Sequence, residues 1–323
     1  MKVAVIILAA GMGKRMNSLI PKPLHRIGGR PLLAWALDSA ASVDADRIIT
    51  VVPKNAKTII DWLDGQEICQ QDKPKGTGHA VLSTTTALKD FDGTALIMCA
   101  DTPLITGHSL CALAKSIASG ADIAVLGAKV DDPFGYGRLI LNNRSELTRI
   151  VEEKDTNESE REVKLINAGV MAVRCPLLFD LLQKVDSDNM SSEIYLTDVV
   201  ALANQDKMVT KVVLAPEDEV IGINSCEDLA KAERIVQQKL RKIALQNGVT
   251  MLDPETVYLS ADTRFESDVV IEPNVFIGQD TTIGRGCLIK SFSHIEGTIL
   301  GPDCVIGPFA RLRSGTKTSE SVK

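Results

Sequence analysis

The residues best suited to chemistry lie near the start of the chain. The run Leu8-Ala9-Ala10-Gly11-Met12-Gly13-Lys14-Arg15-Met16 joins small side chains to two adjacent cations. Small residues let backbone N–H groups approach a ligand closely, and the cations add charge beside it, a combination that suits phosphate. No Gly-Lys-Ser/Thr ends the run, so it is not a Walker A loop. Met16 stands where the third glycine of a dinucleotide fingerprint belongs. A Gly-x-Gly pair alone reads as a tight turn. The paired cations favour the anion site, as does Lys22, bracketed by Pro21 and Pro23 so that an extended backbone can aim its ammonium.

Two further clusters follow. Asp101 follows the apolar run Thr94–Cys99, with only Ala100 between. A carboxylate there, beside a phosphate loop, suits Mg²⁺, which takes few protein ligands and completes its shell with phosphate and water. A turn or N-cap aspartate fits that position equally well. The segment Gln71 to Ala80 contains Gly76-Thr77-Gly78 ahead of a helix. Its main chain and Thr hydroxyl can hydrogen-bond a base edge, or can form an ordinary capped turn. His79 reads as structural.

Each cluster needs a strand end to hold it. Apolar strands are predicted at Lys2–Leu8, Arg47–Val52, Ile68–Gln70, Thr94–Cys99 and Ile123–Lys129, alternating with helices. That order predicts an α/β fold with a mixed, mainly parallel sheet. Further strands are expected at Arg138–Leu141, Thr148–Glu152, Ile166–Val173 and Lys211–Ala215. Helices are expected at Pro31–Ala41, with Pro31 in the first turn, and at Asn55–Leu63, Gly78–Leu88, Ser109–Ala118, Pro176–Lys184 and Tyr195–Ala203. Ser225 caps a long helix reaching about Gln246, with Glu227 and Asp228 in its first turn. Glu153–Lys164 reads as a solvated, charged loop.

From Met251 the helical period vanishes. Ile271, Ile277, Ile283, Ile289 and Ile295 recur every six residues, and after a slip of one residue Leu300, Ile306 and Leu312 continue. This is the hexapeptide signature of a β-helix with inward aliphatic residues. The expected organisation is residues 1–224, a linker helix over 225–250, and a short solenoid over 251–323. The polar stretch Gly315–Lys323 predicts a solenoid cut short.

Composition excludes other classes. Of 323 residues, 45% are hydrophobic and 24% charged, as in soluble globular proteins of two domains. Only 4% are aromatic, so the core must rest on aliphatic residues. A net charge of -6 gives no reason to expect nucleic acid as a partner. The longest clean apolar run, Val3–Ala10, is too short to span a bilayer. The seven cysteines are scattered, never C-x-x-C, which fits a reducing cytoplasm, and the four histidines show no metal-ligand spacing.

Together these motifs resemble those of the sugar-1-phosphate nucleotidyltransferases. More specifically, the chain is similar to the bacterial bifunctional N-acetylglucosamine-1-phosphate uridyltransferase/glucosamine-1-phosphate acetyltransferase family. The closer match is carried by Gln71 with Gly76-Thr77-Gly78-His79-Ala80, by Asp131-Asp132-Pro133-Phe134-Gly135-Tyr136-Gly137-Arg138 and by Ile150-Val151-Glu152-Glu153-Lys154-Asp155. Asn167-Ala168-Gly169, Glu193-Ile194-Tyr195-Leu196-Thr197-Asp198, Gly222-Ile223-Asn224-Ser225 and the hexapeptide run complete it. The resemblance spans essentially the whole chain.

It implies a Rossmann-like nucleotidyltransferase domain followed by a left-handed parallel β-helix. The implied reaction transfers uridylyl from UTP to N-acetylglucosamine 1-phosphate, giving UDP-N-acetylglucosamine and pyrophosphate with Mg²⁺ as cofactor. Leu8, Ala9, Ala10 and Gly11 would line the UTP site, with Arg15 and Lys22 on its phosphates. Gln71, Gly76 and Thr77 would hold the uracil. Asp101 and Asn224 would hold Mg²⁺. Gly137, Glu152, Asn167 and Asn224 would bind the sugar phosphate. Full-length relatives are homotrimers, through their solenoids. Cys99-Ala100 stand where the family often has an aromatic residue and glycine, a change expected to tighten the pocket or shift KM. The family's acetyltransferase site is expected in coils beyond residue 323, and only Arg313 matches an acceptor-phosphate contact, so no acetyl transfer is expected here. The competing readings are another sugar-1-phosphate nucleotidyltransferase, a catalytically silent sugar-nucleotide-binding protein, and a glycosyltransferase on a similar sheet.

Overall fold

The structure, a computed structural model, describes residues 2–11, 13–186 and 192–323. Met12 and the side chain of Lys14, both counted in the phosphate loop, lie outside the described residues. The chain divides into two compact units, Met1–His25 with Leu32–Asp228, and Arg26–Pro31 with Leu229–Lys323.

In the first unit the strands are β1 (Val3–Leu8), then, past a hairpin β2 (Arg26–Ile27) and β3 (Arg30–Pro31) that belongs to the second unit, β4 (Arg47–Pro53), β5 (Glu67–Gln71), β6 (Thr94–Cys99), β7 (Ile123–Lys129), β8 (Arg138–Leu141), β9 (Leu147–Val151), β10 (Leu165–Arg174) and β11 (Thr210–Leu214). The sheet order is β11-β7-β10-β6-β1-β4-β5, with β8 pairing β10 and β9. The pairings β6, β1, β4 and β5 are parallel, and β10 runs antiparallel to both β6 and β7. Strand alternation decides which side chains meet which layer. Val5 and Ile7 of β1 join one core with Leu33, Ala36 and Ala40 of α1 (Leu32–Ala41) and, beyond α2 (Lys57–Trp62) and α3 (Thr77–Leu82), with Leu110 and Leu113 of α4 (Gly107–Ala118). Ala4, Ile6 and Leu8 join the other core with Ala80 and Val81 of α3 and, beyond α5 (Glu158–Arg161), with Leu178 of α6 (Cys175–Leu182) and Val199 of α7 (Asp198–Gln205). A sheet covered on both faces explains why β1 is an unbroken apolar run, and aliphatic residues fill both layers.

Several boundaries differ from the sequence reading for local reasons. Pro31 ends the hairpin instead of opening α1. Gly28 and Gly29 both take positive φ, 53° and 76°, as a tight two-residue hairpin loop requires. The helix expected to reach Leu88 stops at Leu82, where Ser83, Thr84 and Thr85 turn their hydroxyls onto the carbonyls of Ala80, Val81 and Leu82. The helix expected from Tyr195 begins at Asp198, because the preceding segment is tied down. The Ile194 carbonyl accepts the Gly78 N–H, and the Leu196 N–H donates to Thr77 Oγ1 at 3.0 Å. The charged stretch after Glu152 is not wholly solvated. Asn157 caps α5 in a capping box with Glu160, which is buried and pairs with Arg149 at 2.5 Å.

The second unit takes most of helix α8 (Cys226–Gln246) and a solenoid of short parallel strands in three columns. One column stacks Thr250–Met251, Val270–Ile271, Leu288–Ile289 and Val305–Ile306. Ile271, Ile277, Ile283, Ile289 and Ile295 are fully buried, and Leu300 and Ile306 nearly so. The one-residue slip has a structural counterpart. Phe276 pairs with His294, eighteen residues on, whereas Thr282 pairs with Ile299, seventeen on. Helix α8 covers the first coil. Gln237 donates to the Leu259 carbonyl at 2.7 Å and accepts the Leu259 N–H at 2.8 Å, completing an edge that would otherwise bury unpaired backbone groups.

Candidate active site

The carboxyl ends of β1 and β6 deliver the first two clusters side by side. Leu8 pairs with Cys99 across the ladder, and the next residues lead into the phosphate loop and to Asp101. The loop turns at Gly13, with φ 57°, where a Cβ would lie 2.7 Å from the Cβ of Lys22. Only glycine lets Lys22 pack this closely, and the Lys22 side chain is nearly buried. Lys22 Nζ lies 2.5 Å from Asp101 Oδ2 and donates to Asn224 Oδ1 at 2.9 Å. Asn224 is itself fixed: the Ile223 N–H donates to the Asp101 carbonyl, and Asp228 accepts the N–H groups of Asn224 and Ser225. One anionic and one neutral oxygen, 123 residues apart in the chain, thus converge on a single positive charge. Resemblance places Lys22 on phosphate and the two oxygens on a metal; here all three form one cluster.

A cavity of about 420 Å³ opens beside this cluster. It is lined by Leu8, Arg15, Thr77, Asp101, Gly137, Glu152, Asn167 and Asn224, eight of the residues singled out from sequence. Ala9, Ala10, Gly11, Lys22, Gln71 and Gly76 are not on its wall. Gln71 is buried beside it and donates to the Gly76 carbonyl at 3.1 Å, with His79 Nδ1 also 3.1 Å away. Gly76 has φ 100°, and a Cβ there would strike the Ile194 carbonyl. His79 therefore supports the loop, as its structural reading expects.

Gly137, Glu152 and Asn167 meet at the far end. A Cβ on Gly137 would lie 3.5 Å from both the Asn167 Cβ and Glu152 Oε2. The Asn167 N–H donates to the Gly137 carbonyl at 2.8 Å. Asn167 sits where β10 loses register between Asn167 and Met171, around Gly169 with φ 72°. Such a bulge re-aims side chains at an edge. Glu152 Oε1 accepts a hydrogen bond from Thr197 at 3.0 Å. Burial raises the Glu152 carboxyl above the ordinary range, the Thr197 hydroxyl pulls it back, and the charges of Asp198, Asp155 and Glu193 raise it further. Burial, with the Asp101 charge adding to it, pushes the Cys99 thiol far above its usual range. Cys99 is thus wall and not nucleophile.

Phe134, Tyr136, Thr197 and Asp228 also line the cavity, though none is expected there from sequence, where Asp228 reads only as a first-turn helix residue. The first three lie in motifs already quoted for the resemblance, which was the available signal. Among the described residues, no three His, Cys, Asp or Glu side chains gather as a metal-ligand set, and no helix is long and apolar enough to cross a membrane.

Residues 5–163 match the MobA-like NTP transferase domain, and residues 280–314 match the bacterial transferase hexapeptide (six repeats). The bifunctional protein GlmU of Hyphomonas neptunium is 42% identical over 314 residues, covering 96% of this chain and 68% of that protein. That of Roseobacter denitrificans is 43% identical over 327 residues, covering 100% of this chain and 72% of that protein. The chain belongs to the GlmU family. A GlmU relative from Maricaulis maris is 47% identical over 263 residues, 81% of this chain and 58% of that protein. Among solved structures, UDP-glucose pyrophosphorylase complexed with UDP-glucose superposes with TM-score 0.62 at 18% identity, over 74% of this chain and 100% of that one, which is a likeness of fold. Membership of GlmU makes this chain a nucleotidyltransferase carrying hexapeptide coils.

Proposed function

We propose that the chain transfers uridylyl from UTP to N-acetylglucosamine 1-phosphate, releasing pyrophosphate and UDP-N-acetylglucosamine, with Mg²⁺ as the metal. The observation that carries this reading is a single cavity lined by Arg15, Asp101 and Asn224 together with Gly137, Glu152 and Asn167. Arg15 and the two oxygen-bearing side chains beside Lys22 thus share one space with Gly137, Glu152 and Asn167.

The sugar phosphate is already an anionic nucleophile, so attack on the α-phosphorus needs alignment and charge neutralisation more than a base. Asp101 Oδ2 and Asn224 Oδ1 are hard oxygens that already converge on one positive charge, which fits Mg²⁺. When bound, Mg²⁺ supplies positive charge that offsets the repulsion between the two phosphate groups. Lys22 and Arg15 take phosphate oxygens, and Lys22 exchanges its carboxylate partner for them. Thr77 on the cavity wall, backed by Gln71 and Gly76, holds the uracil, while Leu8 on the wall and Ala9, Ala10 and Gly11 after it in the chain take the rest of UTP. Gly137, Glu152 and Asn167 hold the sugar. In the Glu152 carboxylate, an acceptor faces the sugar's hydroxyl and amide N–H groups.

The test is pyrophosphate release from UTP plus N-acetylglucosamine 1-phosphate, with and without Mg²⁺. Release that requires both substrates and the metal is expected. Equal release with glucose 1-phosphate would replace the sugar assignment, and binding of UDP-N-acetylglucosamine without turnover would replace the enzyme.

A further inference from the structure

We propose that Arg138 is a positioning residue that holds both arms of the sugar pocket on one guanidinium. The proposal rests on the reading of that pocket given above. Arg138 opens β8 and is the bulkiest fully buried side chain among the described residues, 1% exposed. Its Nη1 donates to the Tyr136 carbonyl and lies 2.8 Å from Glu153 Oε2. The same Glu153 oxygen accepts the Gly135 N–H at 3.1 Å. Nη2 reaches the Arg161 carbonyl at 3.5 Å. Nε is buried with no hydrogen-bond partner among the described residues.

Chain order gives these contacts their meaning. Gly135 and Tyr136 immediately precede Gly137, and Glu153 immediately follows Glu152. The guanidinium therefore grips the neighbours of two residues that meet at one end of the cavity. At the tip of the loop it grips, Phe134 is 77% exposed, and its N–H donates to Asp132 Oδ1. Glu152 and Glu153 split the work, one carboxylate turned to the cavity and Thr197, the other back to Arg138.

A buried ion pair is weak evidence for stability, since an apolar side chain of the same volume often does as well. An unpaired Nε adds to the cost of burying this one. Beyond Arg138↔Val151, the last rung of the β8–β9 ladder, the pair supplies what an apolar residue cannot: a polar tie between the Gly135–Gly137 backbone and the segment after Glu152. A rigid fork with several donors is the side chain suited to that task. Displacement of a binding group by an ångström is enough to cost two orders of magnitude in rate.

The experiment measures transfer kinetics with each substrate varied in turn. In Arg138→Met, KM for N-acetylglucosamine 1-phosphate is expected to rise about tenfold to a hundredfold while KM for UTP stays within about twofold. Arg138→Lys, which keeps charge but loses the fork, is expected to recover only part of this loss. Glu153→Gln sits on a partly exposed side chain and keeps an acceptor for Gly135, so it reads the same effect if Arg138→Met fails to fold. Its expected rise is about threefold, and the double variant is expected to match Arg138→Met alone. Equal rises in both KM values, additive effects, or an unchanged sugar-phosphate KM would overturn the assignment. A wild-type chain without transfer to N-acetylglucosamine 1-phosphate would instead overturn the functional reading beneath it.

Discussion

Left-handed backbone is used in opposite ways by the two units. In the solenoid it is a repeated corner: Asp268, Asn274, Asp280, Gly286 and Phe292 take φ between 54° and 69° at intervals of six residues. Gly297, after a step of five, resumes the series, and Asp303, Phe309 and Gly315 continue it. Asn, Asp and Gly tolerate this conformation; Phe292 and Phe309 do not do so readily, and they stack on one another with centroids 5.1 Å apart. In the nucleotidyltransferase unit the same device appears at isolated positions, among them Gly135 and Gly169 on the cavity wall and Gly13 and Gly76 in the loops that pack against Lys22 and Ile194. A position that recurs is shared by many coils. A position used once carries its consequence alone.

That contrast can be broken or sharpened by substitution. Asp101→Ala removes a single-use group, and kcat is expected to fall about 10²–10³-fold while thermal unfolding stays cooperative. Near wild-type turnover in a folded variant would end the metal assignment. Ile283→Ala removes a repeated group. It is expected to cost about 2–5 kcal/mol in denaturant unfolding with transfer changed less than about twofold, and a collapse of activity would break the comparison. Gly13→Ala forces an alanine into a left-handed turn against Lys22 and is expected to lower kcat/KM about tenfold. Asn274→Gly, at a repeated corner, is expected to change unfolding free energy by less than about 0.5 kcal/mol.

The smallest effect concerns Glu152. Its carboxyl is raised in the folded chain, so its stabilising contribution is complete below the ordinary carboxylate range and is lost as pH rises through the raised value. Glu152→Gln escapes that loss. The variant is therefore expected to melt higher than the parent at neutral pH, with the difference vanishing near about pH 4. A variant equally stable at all pH values would show that the burial of Glu152 costs nothing.

The same contrast explains what could be read in advance. Burial of Ile271 through Ile306 followed from spacing alone, because one period fixes every inward side chain. The ends of β1 and β6 followed from apolar runs and put Leu8 and Asp101 at one edge. Asn224 and Asn167 had no such signal. One reaches the cavity because Asp228 and the Asp101 backbone hold it, the other because β10 loses register. Both are tertiary facts, visible beforehand only through resemblance. The early end of α3 was legible in principle, since Ser83, Thr84 and Thr85 compete for its carbonyls.

The hairpin Arg26–Pro31 sets a limit on how this protein can be divided. Its Gly28 N–H donates to Glu233 at 2.7 Å, and its Gly28 carbonyl accepts the Ala261 N–H at 2.9 Å. Six residues from the start of the chain are thus part of a unit otherwise built from its end. A fragment starting at Leu229 would leave Glu233 and Ala261 facing water, and one ending at Asp228 would strand the hairpin only four residues after Lys22. Anyone transplanting the coils onto another enzyme would have to transplant the Arg26–Pro31 hairpin as well.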